Sequence, residues 1–402
     1  MARRAGLAYA HAMARTLHAL SSTGKPVSYR DRKRAWWSLS VFYPLMPFTG
    51  IAAHAASGWQ IALALPLLIS YGLMPLFDAL IGEDLSNPPE EVVAQLEADR
   101  YYRWLTWATV PLHFVALIGC AWWVGTQALS WWAVVLLGYV AGAGSGLGIN
   151  TGHELGHKNT RLEQWLARLV LAVPAYGHFT VEHGRGHHRW VATPHDHASS
   201  RMGESIYRFA LRELPGGVRR AWALEAERLA GRGQARWSVH NTMLQSYAVT
   251  LLLQGSLVLA WGVVMVPFLA VHNLVAWWQL TSANYVEHYG LLRAELPGST
   301  AQAPRYETPQ PHHSWNTNHL VTNLVLFHLQ RHSDHHAHPS RRYQSLRHFE
   351  NLPQLPSGYF GMFPLAYVPP LWFKVMDARL LALPFVGGDI TRVNLDPRRK
   401  PG

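Results

Sequence analysis

Cysteine is almost absent: Cys120 is the only one in the 402-residue chain. A single thiol builds no intrachain disulfide and no multi-cysteine zinc or iron–sulfur site, so any metal here must be held by other ligands. Charge is scarce too, at 15% of residues against roughly 25% in an ordinary soluble domain. Lys and Arg are missing altogether from 35–99, 104–157 and 237–292. Each of these stretches is long enough for two apolar helices of about 20 residues and a short turn. Residues 1–35 lack the apolar core of a signal peptide, and the chain has no fixed-period repeat, low-complexity tract or recognised nucleic-acid module. These absences exclude a disulfide scaffold, a solenoid and a DNA or RNA binder, and they leave an integral membrane protein.

The predicted fold is an all-α integral membrane protein, one membrane domain over 1–402, with six transmembrane helices near 36–56, 59–80, 104–124, 131–150, 243–263 and 266–282. The turns near 55–58 and 125–130 carry no Lys or Arg, while every basic segment falls on the other side. The positive-inside rule therefore puts both termini and the large polar segments in the cytoplasm, at the plasma (bacterial inner) membrane. The formal charge of +11 is then mostly topological, set by Lys and Arg that touch anionic membrane lipid. Residues 151–242 and 283–388 are too polar to span and should form a cytoplasmic cap; 389–402 reads as a loose tail. Ser86–Tyr102, with its Asn-Pro-Pro start and acidic first turn, predicts a short helix leading into the third span. Cys120 falls within that span and reads as packing.

What the chain has in abundance is histidine, 24 residues. Nine fall into four clusters: His153 and His157; His183, His187 and His188; His288; and His332, His335 and His336. Imidazole is the commonest protein ligand for iron, zinc and copper. Nine are too many for one ion, which takes four to six ligands, so two metals are expected. His153 and His157 are four apart and share a helix face, as His332, His335 and His336 do at i, i+3 and i+4. In a helix His187 would lie about 40° around from His183 and His188 about 140°, so neighbouring histidines can face different ions. Any one histidine is more often a satisfied surface or core residue than a ligand; the joint pattern on one membrane face reverses that weighting. Glu154, Glu182, Glu287 and Asp334, beside the clusters, are expected to accept from imidazole N–H groups. His195, His197, His312, His313, His319, His328 and His338 are not expected to be ligands. His113 and His272, inside spans, are expected to line a path to the site.

An all-imidazole dinuclear site just inside a membrane implies a substrate arriving from lipid. An apolar C–H bond needs an oxidant, which favours iron and O2 over hydrolytic zinc. The strings HELGHK, EHGRGHHRWVATP, NYVEHYGLLR and LQRHSDHHAHPSRRYQSL resemble the integral-membrane alkane 1-monooxygenase family of the histidine-box membrane di-iron superfamily, over about 36–387. The resemblance implies two non-haem irons, O2 as co-substrate, hydroxylation of the terminal methyl of an n-alkane, and electrons from rubredoxin with its NADH-dependent reductase. It also implies that the nine histidines above are the iron ligands. Gly184, where related chains tend to have Asn, and His197, where Pro is usual, depart from the pattern without touching a ligand position. With one cysteine, the four-cysteine rubredoxin centre must sit on a separate chain.

In the second predicted span, Ser70 and Gly72 leave space for a substrate tunnel, unless they serve only close helix packing. Competing readings remain open. An intramembrane zinc protease can be built on His153, Glu154 and His157 as His-Glu-x-x-His, but it leaves six clustered histidines idle. A lipid desaturase or hydroxylase of the same superfamily shares the site. A metal transporter or haem protein is the non-enzyme alternative. Metal content separates these: two irons, one zinc or a haem absorbance.

Overall fold

A computed structural model describes residues 15–399. The expected cytoplasmic N-terminus and the end of the predicted tail, 1–14 and 400–402, lie outside the described residues. The chain is mostly helical, but the all-α expectation is corrected at its start: Thr16–Leu20 (β1) and Pro26–Arg30 (β2) pair antiparallel. Gly24, with φ 76, closes that turn in the left-handed region open to glycine. Five-residue strands with no apolar run beside them left little periodicity to read.

Among the described residues, four helices are long and apolar enough to cross a membrane: Gln60–Ile81, Arg100–Thr126, Trp131–Gly156 and Thr242–Trp261. They match the second to fifth predicted spans, with Trp131–Gly156 running six residues beyond its predicted end. The predicted first span is a broken run of short turns over 36–45 followed by helix α1, Pro47–Ser57. Pro44 and Pro47 each fix φ and remove an amide donor, which prevents one continuous helix. The predicted sixth lies within the unbroken helix Met265–His288; His272, Asn273, Gln279 and Asn284 lower its hydropathy. In chain order the further helices are α2 (Gln60–Ile81), α3 (Glu90–Ala98), α4 (Arg100–Thr126), α5 (Trp131–Gly156), α6 (Arg161–Ala172) and α7 (179–190). They continue with α8 (Ile206–Ala230), α9 (Thr242–Trp261), α10 (Met265–His288), α11 (Leu320–Val325), α12 (His332–Ala337), α13 (Tyr359–Ala366) and α14 (Pro369–Leu381).

Helices α5 and α10 form the central pair. Gly138, Gly142 and Gly146, four apart, make a smooth strip on α5 that lets backbones approach. A Cβ at Gly138 would stand 2.9 Å from the Phe268 carbonyl oxygen, and one at Gly142 would collide with that of His272. Both helices extend past the apolar region into the cap, where α5 ends at His153 and His157, and α10 at His288. The cap is closed by aromatic packing of Tyr285, Tyr289 and Trp372.

The predicted loose tail is also corrected. The Met202 amide donates to the Asn394 carbonyl at 2.7 Å, the Asn394 amide to Gly290 at 2.9 Å and the Asp396 amide to Met202 at 3.0 Å. Arg208 binds Asp396 at 2.6 Å and Arg399 binds Asp377 at 2.7 Å. Proline and Arg composition alone did not show these backbone partners.

Candidate metal centre

All nine clustered histidines converge, and they do so as two groups. His153, His157, His183, His188 and His335 form one; His187, His288, His332 and His336 form the other, with ligand atoms in each group within 4.8 Å of one another. Local structure explains the division. α7 contains a π turn at Glu182–His187, and i→i+5 bonding brings residues five apart towards one face. His183 and His188 therefore meet, Nε2 to Nε2 at 3.0 Å, while His187 turns to His336 at 3.3 Å. On α12, His332 and His336 face each other at 2.9 Å, and His335 turns to His153 at 2.9 Å and His188 at 3.2 Å. His288 meets His332 at 3.2 Å.

His187 Nδ1 donates to Asp196 Oδ2 at 2.8 Å, and His288 Nδ1 donates to the His313 carbonyl at 3.1 Å. Each tautomer is thereby set, and the Nε2 lone pair is aimed at another Nε2. Lone pairs opposed at such distances repel unless a cation lies among them. Burial first, and crowding by one another second, hold His183, His188, His332, His335 and His336 well below the usual histidine range. They are neutral at pH 7, the state a metal requires. The residues fit a pair of metal ions.

The carboxylates are arranged differently from expectation. Glu154 pairs with Lys158 at 3.1 Å, Glu182 accepts from Arg220 Nε at 2.9 Å, and Asp334 accepts from Arg347 Nη2 at 2.8 Å. Each stands one residue from a histidine, hence about 100° around a helix and facing away from it. Glu287 alone of the four reaches a clustered imidazole, at 3.4 Å from His332 Nε2, and it does so on the metal side. Its other oxygen accepts from Tyr359 OH at 2.9 Å. The expected role falls to Asp196, which sequence reading missed. Burial would raise its carboxyl, but His187 and Arg220 hold it far below the usual range. Its place between His195 and His197 was the available signal.

Beside both groups lies a cavity with about 640 Å³ of unfilled space, walled by Tyr43, Leu147, Leu280, Phe360 and Phe363 and ending at His153, His183, His332 and Glu287. Its apolar wall suits a small apolar ligand. None of the four residues expected in the tunnel is among those lining it. Ser70 stands behind the wall, its hydroxyl 2.8 Å from Tyr43 OH. Gly72 is exposed, because residues two apart on a helix face different ways. His113 packs against Gly148, and His272 binds Ser145 at 2.8 Å. Glu307, His312 and His313 form a further possible ligand group. His313 Nδ1 there accepts the Gln310 amide at 2.9 Å, which leaves the proton on Nε2, 3.4 Å from Glu307.

The fatty acid desaturase family signature matches residues 129–366. The alkane 1-monooxygenase of Pseudomonas putida is 53% identical over 92% of this chain and 90% of its own length. Alkane 1-monooxygenase 1 of Alcanivorax borkumensis is likewise 53% identical, over the same shares. The chain belongs to the alkane 1-monooxygenase family. A xylene/toluene monooxygenase hydroxylase component of Pseudomonas putida is 29% identical over 56% of the chain and 58% of its own length. The buried histidine groups form a possible metal site typical of the family.

Proposed function

We propose that the chain hydroxylates the terminal methyl of n-alkanes to 1-alkanols, using O2 and electrons passed from an NADH-dependent reductase through rubredoxin. Alkane 1-monooxygenase activity is the function of its close relatives by name, and the observation that carries it to this chain is the convergence of nine imidazoles beside an apolar cavity. Two non-haem irons, one in each histidine group, are the metals this donor set suits. The five histidines of one group and the four of the other would each hold one ion. Iron bound there supplies the oxidising chemistry that an unactivated C–H bond needs.

The protein's own part is positioning and exclusion of water. The cavity wall holds an extended chain with one methyl near His153, His183 and His332. Selectivity for the terminus comes from shape, since an alkane offers no hydrogen bond. Asp196 and the His313 carbonyl fix the tautomers of His187 and His288, so both present Nε2 inward. α1 with its preceding turns and α10 complete six membrane crossings, with the histidine cap in the cytoplasm where rubredoxin can reach it.

A desaturase reading has the family signature in its favour. One assay decides between them: the purified, iron-loaded protein with rubredoxin, its reductase, NADH and n-alkanes of graded length. The expected product is a 1-alkanol with two irons per chain. Alkenes, or no product with full iron loading, would overturn the reading.

A further inference from the structure

Glu213 is a buried carboxyl that the reading above leaves unused. It lies on α8 and is 5% exposed. Thr281 donates to one oxygen at 2.7 Å and Asn284 to the other at 3.1 Å, and no cation pairs with it among the described residues. A buried carboxyl without a cation favours its neutral form. Burial pushes Glu213 up to about 7 against the bonds from Thr281 and Asn284, with Glu182 adding to the rise and Arg212 opposing it.

Its surroundings give that proton somewhere to go. Glu213 lines a second, polar cavity with about 330 Å³ of open space, together with Tyr176, His178, Glu182, His197 and Asn284. This cavity and the apolar one share Phe179, His183, Leu280 and Asn284 as walls, so Asn284 stands between Glu213 and the metal centre. On the other side His197 is half-buried. A pocket lined by several polar groups can take up water, which needs such partners and room for one molecule.

Hydroxylation has a proton balance to meet. One C–H bond and the O–O bond break; one oxygen atom forms the alcohol and the other leaves as water. O2 is reduced by two electrons from the donor protein and by the C–H bond that is oxidised, and two protons from outside complete the water. Leu147, Leu280, Phe360 and Phe363 in the wall of the apolar cavity carry none.

We propose that Glu213 relays protons from the His197 side, through the polar cavity and past Asn284, to the site where O2 is reduced. This rests on the hydroxylase reading. The groups facing Glu213 are Arg212 on its own helix, Glu182 with its partner Arg220, Asp196 and His197 from the loop after α7, and Tyr176 and His178; α10 contributes only the uncharged Thr281 and Asn284. The competing role is a staple between α8 and α10.

Glu213→Gln in the full-length, iron-loaded protein separates the two, because glutamine keeps the shape and can keep both hydrogen bonds but carries no acidic proton. Alcohol formation is expected to fall on the order of tenfold or more with iron content unchanged. The wild-type rate should decline as pH rises through about 7, where the carboxyl loses its proton, and that decline should be absent from the variant. Formate should restore part of the rate to Glu213→Ala in a concentration-dependent way. An infrared titration of the resting protein should show a protonated-carboxyl band that disappears above neutral pH and is missing from Glu213→Gln. A wild-type rate and pH profile in Glu213→Gln, or a slow Glu213→Ala that no small acid rescues together with no such band in wild type, would overturn the relay. If wild-type protein makes no alcohol, the hydroxylase reading fails instead, and the infrared titration still decides whether Glu213 holds a proton.

Discussion

At the scale of single residues, the clearest dependence is that of His187 on Asp196. The carboxylate holds the Nδ1 proton, and Arg220 in turn holds the carboxylate at 2.8 Å. Losing such an outer partner typically weakens metal affinity by about 10- to 100-fold. Asp196→Asn is therefore expected to lower iron occupancy from two per chain towards one, measured by metal analysis after dialysis against a mild chelator. Full occupancy would show that His187 needs no orienting partner. His195→Ala, next door but exposed, should leave occupancy unchanged. Ligand changes are expected to be harsher: His288→Ala and His335→Ala should abolish turnover while the protein still inserts into the membrane, each striking a different histidine group. Ser70 has a subtler place. Its hydroxyl anchors Tyr43, which walls the cavity, so Ser70→Trp should push that ring inward and shorten the longest alkane hydroxylated. An unchanged chain-length profile in a folded, iron-loaded Ser70→Trp protein would show that Tyr43 yields in another direction.

At the scale of elements, the α5–α10 contact fixes the distance between His153 and His288, and so between the two metal groups. Overpacking a tight contact typically costs about 1–3 kcal/mol. Gly142→Ile, whose Cβ would meet the His272 backbone, should separate the helices and lower iron occupancy and thermal stability together. Gly255→Ile on α9, where a Cβ meets nothing within 4 Å, should do neither. Elements were also where sequence and structure agreed most unevenly. Four of the six predicted spans matched long apolar helices because hydrophobic length is a local property. Pro44 and Pro47 broke the first predicted span, although both were visible in the sequence. Eight of the nine histidines were legible because their close spacing is local as well, and His288 because it falls on the same membrane face as they do. Asp196, Tyr359 and Phe363 were not, since they reach the site from separate segments whose arrangement only tertiary packing sets. The outward turn of Glu154, Glu182 and Asp334 had the same cause: adjacency in sequence was mistaken for adjacency in space.

At the scale of the whole molecule, the formal charge of +11 meets a place where one of the two converging histidine groups approaches solvent. His157 and His188 are only partly buried, with Gly184, Arg185 and Arg189 exposed beside them. Arg185 keeps 43% of its side chain open and His338, after α12, keeps 50%. A Cβ at Gly184 would meet nothing within 4 Å, so the glycine keeps this edge low without being required by packing. On the function proposed above, this rim would receive a small acidic electron carrier: opposite charge speeds encounter, and the thin cover over His188 shortens the electron's path. Exposed charges more than about 10 Å apart are largely screened at 0.1 M salt, so steering of this kind weakens as salt rises. The rate of alkane hydroxylation at limiting rubredoxin is therefore expected to fall several-fold between low and physiological salt, through KM for rubredoxin and with kcat little changed. Reversing the charge at both Arg185 and Arg189 should reproduce that loss at low salt and remove most of the remaining salt dependence. Steady-state kinetics across a salt series check both parts, and a KM that ignores salt and the double charge reversal alike would move the docking face away from His188.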